Sequence, residues 1–148
     1  MQWTFKHYDE LTRDEVYEIL RLRCEVFIVE QDCVYLDVDG EDRGGWHLLA
    51  RDGQGRLGAC LRAIPRTQSE PMHFGRIVVR PDCRGSGVGR ELVRRGLEAA
   101  RDVLGERAVA ISAQAHLRDF YGSLGFEATS EPYDLTGIMH LDMLWKAE

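Results

Sequence analysis

Apolar and polar side chains alternate from Gln2 to Tyr8, and this period of two predicts a short strand. Thr12-Arg13-Asp14-Glu15 is a capping box, and the helix it opens carries Val16, Ile19, Leu20, Cys24 and Phe27 at steps of three and four on one face. Two further strands, Trp46 to Arg51 and Leu57 to Ile64, flank Asp52-Gly53-Gln54-Gly55, which reads as a hairpin turn. Met72 to Val79 is the next strand, stopped by Pro81. From Val88 to Val103 the stripe Val88, Leu92, Ala99, Val103 predicts an amphipathic helix with arginines around the rest of its circumference. Val109 to Ala113 then returns as a strand, a short helix follows over about Leu117 to Leu124, and Met139 to Trp145 closes the chain. Strand, helix and strand in succession imply a crossover with a parallel pair. The expected architecture is therefore α/β: a mixed, mostly antiparallel sheet with helices on both faces.

At 148 residues the chain fits one domain, 1–148, large enough to bury a core without staples. Cys24, Cys33, Cys60 and Cys83 have no C-x-x-C pairing and no histidine at zinc-finger spacing. Reduced thiols and no metal are the expectation, and with no signal-like start and no apolar run of membrane length, so is a cytoplasmic protein. A formal charge of -6 disfavours nucleic acid as a partner. Glu30, Asp32, Asp37, Asp39, Glu41 and Asp42 crowd one stretch that only Arg43 offsets. It reads as a solvated loop; the alternative is a lip that attracts a cationic amine. A calcium loop is disfavoured, because Gly40 falls at the wrong position and Leu48 stands where the last carboxylate belongs.

The chemistry concentrates in Arg84-Gly85-Ser86-Gly87-Val88-Gly89, between a strand and a helix. Glycines spaced one apart let backbone approach a ligand closely, and the first N–H groups of the helix lack partners inside it. With the macrodipole and Arg84 beside them, they favour a phosphate or diphosphate over an empty turn. The spacing is not that of a nucleotide P-loop, since Arg90 and Glu91 follow where lysine and a hydroxyl are needed. Nor does G-x-G-x-G match the dinucleotide fingerprint.

That turn together with Phe120-Tyr121-Gly122-Ser123-Leu124-Gly125-Phe126 resembles the Gcn5-related N-acetyltransferases. The likeness extends to the small ElaA-like branch of that superfamily through Arg23 to Gln31, Asp37 to Gly40, Ala113 to Leu117 and Gly137 to His140; Gln114 stands where many relatives carry asparagine. The resemblance implies acetyl-CoA as acyl donor, with Arg84, Gly85, Ser86, Gly87, Val88 and Gly89 at its diphosphate and backbone of Ile77 and Val79 at the pantetheine arm and thioester. It implies transfer to a primary amine, of a small molecule or a peptide, by direct attack in a ternary complex. Tyr121 is the expected acid for the leaving sulfur. For the base the residues leave three candidates, His116, His140 and Glu30, with His73 behind them. A domain that binds acyl-CoA as a sensor or scaffold without turnover is the alternative, and an edge strand leaves room for a homodimer.

Overall fold

The computed structural model describes all residues 1–148. Eight strands form one sheet in the order β1-β2-β3-β4-β5-β8-β6, with β7 paired to β8 alone. They are β1 (Gln2–His7), β2 (Trp46–Arg51), β3 (Leu57–Ile64), β4 (Met72–Val79), β5 (Ala108–Gln114), β6 (Glu127–Ala128), β7 (Tyr133–Leu135) and β8 (Ile138–Lys146). Only β4 and β5 run parallel. The helices are α1 (Arg13–Arg23), α2 (Val88–Asp102) and α3 (Arg118–Gly122). Alternation along the strands sends two sets of side chains to opposite faces. Leu49, Cys60 and Val78 pack against Ile19 and Leu22 of α1, while Leu48, Leu61 and Phe74 pack against Leu92, Val93 and Leu97 of α2. Helices therefore cover both faces of a mixed, mostly antiparallel sheet, as the patterning implies.

α1 starts where the capping box places it: Glu15 N donates to Thr12 Oγ1 at 3.1 Å and Thr12 N donates to Glu15 Oε1 at 2.9 Å. The stripe read as one helix changes pitch at Cys24. Residues Cys24–Glu30 are π-helical, with Gln31 N donating to Val26 O and Cys33 N to Ile28 O. Periodicity is nearly blind to this, because one wider turn leaves Val26 buried and Phe27 facing inward as a regular helix would. Two short strands also escape the sequence reading. β7 and β8 join through Thr136 and Gly137, both at positive φ, a two-residue hairpin whose Thr-Gly turn was the available signal.

The acidic stretch is a solvated loop only in part: Glu30, Asp32 and Glu41 are exposed, but Asp37, Asp39 and Asp42 are paired. Arg23 and Asp37 are each only 1% exposed and pair at 2.8 Å, and Arg23 also reaches Asp42 at 2.6 Å. Arg62 of β3 holds Asp39 at 2.8 Å and Asp42 at 3.2 Å, and Arg76 of β4 holds Asp39 at 3.1 Å. The counter-charges lie 14 to 37 residues away in sequence, so no local count reveals them. Burial alone would raise the Asp39 carboxyl; hydrogen bonds from Arg62 and from the Glu41 amide outweigh it and bring the pKa to about 2.

A cleft between splayed strands and the candidate active site

β4 and β5 pair only through Met72, His73 and Phe74, opposite Val109, Ala110 and Ile111. Beyond that point the strands diverge, and a cleft of about 750 Å³ opens between Gly75–Val79 on one side and Ile111–Gln114 on the other. A bulge steers β4 away. Between Gly75 and Val78 it spends three steps where β3, from Arg62 back to Cys60, spends two, and Arg76 sits at φ +49° in the extra step. The inserted residue reverses the alternation: Phe74 faces α2, whereas Val78, four residues on, faces α1. Arg80 N donates to Gly58 O, turning the polar edge of Arg80, and by alternation that of Val78, toward β3. The N–H and C=O groups of Ile77 and Val79 are left on the cleft side.

α2 points its N-terminus at the same opening. Its first bond runs from Glu91 N to Gly87 O, so the six consecutive amides from Gly85 to Arg90 donate to nothing in the protein. Gly85 and Gly87 take φ of +88° and +85°, which side chains resist, and a Cβ at either would meet no protein atom within 4 Å. Arg84, Gly85, Gly87, Val88 and Gly89 line the cleft; Ser86 is exposed beside it. Arg90, which the sequence reading did not single out, also lines it and is held by Ser123, whose hydroxyl accepts from Nη1 at 2.6 Å.

Tyr121 reaches the cleft from α3. Its ring packs edge-on between Phe120 and Phe126 and is 6% exposed. Burial, with no hydrogen-bond partner to offset it, pushes the hydroxyl pKa up to about 12.

The three base candidates part company. Glu30 is engaged by Arg84 through two bonds of 2.8 and 3.0 Å, and that pairing lowers its pKa; the carboxylate does not line the cleft. Lowered basicity and a place off the cleft argue against Glu30 as the base. Arg84 is itself pinned, its Nε donating to Val79 O at 3.0 Å. His116 is exposed and off the cleft, since the turn after β5 carries it past the opening. His140 lines the cleft with Nδ1 2.8 Å from Ile138 O. His73 lines it too, and burial, with help from the nearby Arg62 charge, lowers its pKa and keeps it neutral.

An open wedge between two parallel strands, with a glycine-rich helix start at its mouth, is the architecture of an acyl-CoA N-acyltransferase. Residues 15–147 match the acetyltransferase (GNAT) domain, and the chain belongs to that family. It is similar to the crystal structure of an acyl-CoA N-acyltransferase from Pseudomonas aeruginosa, with TM-score 0.92, 41% identity, and 97% and 98% of the two chains covered. It is also similar to the crystal structure of Escherichia coli ElaA, with TM-score 0.91, 35% identity, and 98% and 99% covered. A UPF0039 protein of Synechocystis is 37% identical over 147 residues, which is 99% of this chain and 96% of the relative. No helix is long and apolar enough to cross a membrane.

Proposed function

We propose that the chain transfers the acetyl group of acetyl-CoA to a primary amine by direct attack within a ternary complex. The observation that carries this reading is the run of six unpaired amides at a cleft that is also lined by a tyrosine with an unpartnered hydroxyl. The amides and the start of α2 suit a diphosphate, and Arg84 and Arg90 supply charge beside it. The N–H groups of Ile77 and Val79 suit the pantetheine arm and the thioester oxygen.

Transfer makes one bond, amine nitrogen to carbonyl carbon, and breaks one, carbon to sulfur. Three things are asked of the protein: a donor for the oxygen as it gains charge, an acceptor for the amine proton, and a proton for the departing sulfur. A preorganised strand N–H, that of Val79, fills the first role, the kind of group whose removal typically costs about 10²–10³ in rate. His140 fills the second. The Ile138 carbonyl can only accept, so Nδ1 carries the proton and Nε2 keeps its lone pair toward the cleft. Tyr121 fills the third, because a hydroxyl with a pKa of about 12 is protonated at every working pH and has no other group to serve.

The test is release of thiol from acetyl-CoA by the purified protein across a panel of amines, with the acetylated product confirmed by mass. Turnover that falls sharply in Tyr121→Phe and His140→Asn is expected. Tight coenzyme A binding with no thiol release from any amine would leave a sensor or scaffold domain instead.

A further inference from the structure

The cleft carries a charge bias that the acidic stretch, viewed as sequence, does not suggest. Arg62, Arg76, Arg84 and Arg90 line it, and no Asp or Glu does. Arg84 and Arg90 stand at the diphosphate end. Arg62 and Arg76 stand at the other, on the sheet face that carries His73.

Each of these two arginines has one buried N–H with no acceptor in the protein. Arg62 spends Nη1 on Asp39 and Asp42 and Nη2 on Asp39, but its Nε, in a side chain only 5% exposed, has no acceptor. Arg76 spends Nη2 on the Asp37 carbonyl and on Asp39; its Nε lies 3.0 Å from Asp37 Oδ1 but off the N–H direction and is also unsatisfied. A buried donor without an acceptor is costly, and native structures rarely keep one without a reason. The backbone beneath Arg76 is strained as well. A non-glycine residue at φ +49° inside a bulge persists when the surroundings impose it, and here the bulge aims that side chain at the cleft, across the ring of Tyr35 at 5.4 Å. The nearest acids are already paired, three of them with these guanidinium groups and Arg23. Asp37, Asp39 and Asp42 lie behind the guanidinium groups, and Asp142 accepts from Tyr133 at 2.6 Å and from Ser112 at 3.1 Å.

We infer that the acceptor amine bears a carboxylate, recognised by Arg62 and Arg76, and that polycationic amines are disfavoured. This rests on the amine-acetylation reading above and names its substrate class: amino acids, or peptides with a free carboxyl terminus. The planar forks of two arginines suit a carboxylate, whereas a second ammonium would face two cations with no counter-charge in the lining.

Matched pairs that differ only in the carboxylate supply the test: lysine with cadaverine, phenylalanine with phenethylamine, and a short peptide with a free or amidated carboxyl terminus. Thiol release from acetyl-CoA gives kcat/KM for each, and calorimetry gives the affinity of each N-acetylated product for the coenzyme A-saturated protein. The carboxylate-bearing member is expected to lead its pair at least tenfold in the best pair, and which pair that is separates free amino acid from peptide. Arg76→Gln should drive the within-pair ratio toward one, with coenzyme A affinity as the check on folding; Arg62→Lys, which keeps the charge for Asp39 and Asp42, is the second variant. Equal or better turnover of the decarboxylated member, or a ratio that survives both variants, overturns the inference while leaving acetyl transfer intact. No thiol release from any amine, with preferential binding of the carboxylated products, sinks acetyl transfer and leaves the carboxylate site standing. Absence of any difference within pairs in both measurements overturns the inference too.

Discussion

The glycine turn Gly85–Gly89 and the acidic segment Asp37–Asp42 are both short, polar and rich in apparent ligand-binding groups, yet they are built in opposite ways. Every acid of the Asp37, Asp39, Asp42 set meets an arginine, and Arg23 and Asp37 are sealed from water. The amides of the turn meet nothing. A satisfied polar network is structure, whereas an unsatisfied one at the mouth of a cleft is provision for a ligand. The acidic segment holds Arg62 and Arg76 at the cleft wall.

Substitutions that unsettle one region and spare the other sharpen the contrast. The largest effect is expected from Asp37→Asn, which strips the buried Arg23 of its one fully buried counter-ion and should cost about 3–5 kcal/mol of stability. Thermal melts would register a fall of roughly 10 °C in Tm; a fall of only a degree or two would mean the network is solvated after all. Next comes Tyr121→Phe, expected to lower kcat by about 10²-fold or more with little change in Tm, since the hydroxyl has no partner inside the protein. An unchanged rate of thiol release at saturating substrate would remove Tyr121 from the chemistry.

Gly87→Val should weaken coenzyme A by about tenfold, because a branched residue resists φ +85° and turns amides from the diphosphate. It touches nothing in the protein, so a stable variant with unaltered affinity would show the turn to be mere connection. The smallest effect is a pH dependence of stability. Burial lowers the pKa of His47 and of His73, so the folded protein binds fewer protons than the unfolded chain just below pH 6.5. Their contribution is thus fully present above that pH and declines as pH falls through it, and the denaturant midpoint should be lower at pH 5.5 than at pH 7.5. His47→Gln would reduce the difference.

What the sequence disclosed follows the same division. Local signals sufficed for the capping box at Thr12, the hairpin at Asp52–Gly55, the limits of α2 and the glycine turn, because each is settled by residues within a few positions. Tyr121 was marked through resemblance to a family and His140 by its place on the last strand, and the fold brings both to the cleft. Glu30 and His116 were marked, like His140, by their places along the chain. The first was claimed by Arg84, 54 residues away, and the second was carried off by a turn. The arginine pairing of the acidic segment and the bulge at Arg76 were illegible for one reason: both depend on strand register, which periodicity does not specify at single-residue resolution.

If the proposed function holds, the amides from Gly85 to Arg90, which find no acceptor within the protein, donate to a diphosphate. Backbone amide NMR of the labelled protein, titrated with coenzyme A, reads those groups one by one. Downfield shifts concentrated at residues 85–90, with Asp37 to Asp42 nearly unmoved, are predicted. Shifts that fall elsewhere and leave the turn silent would contradict it.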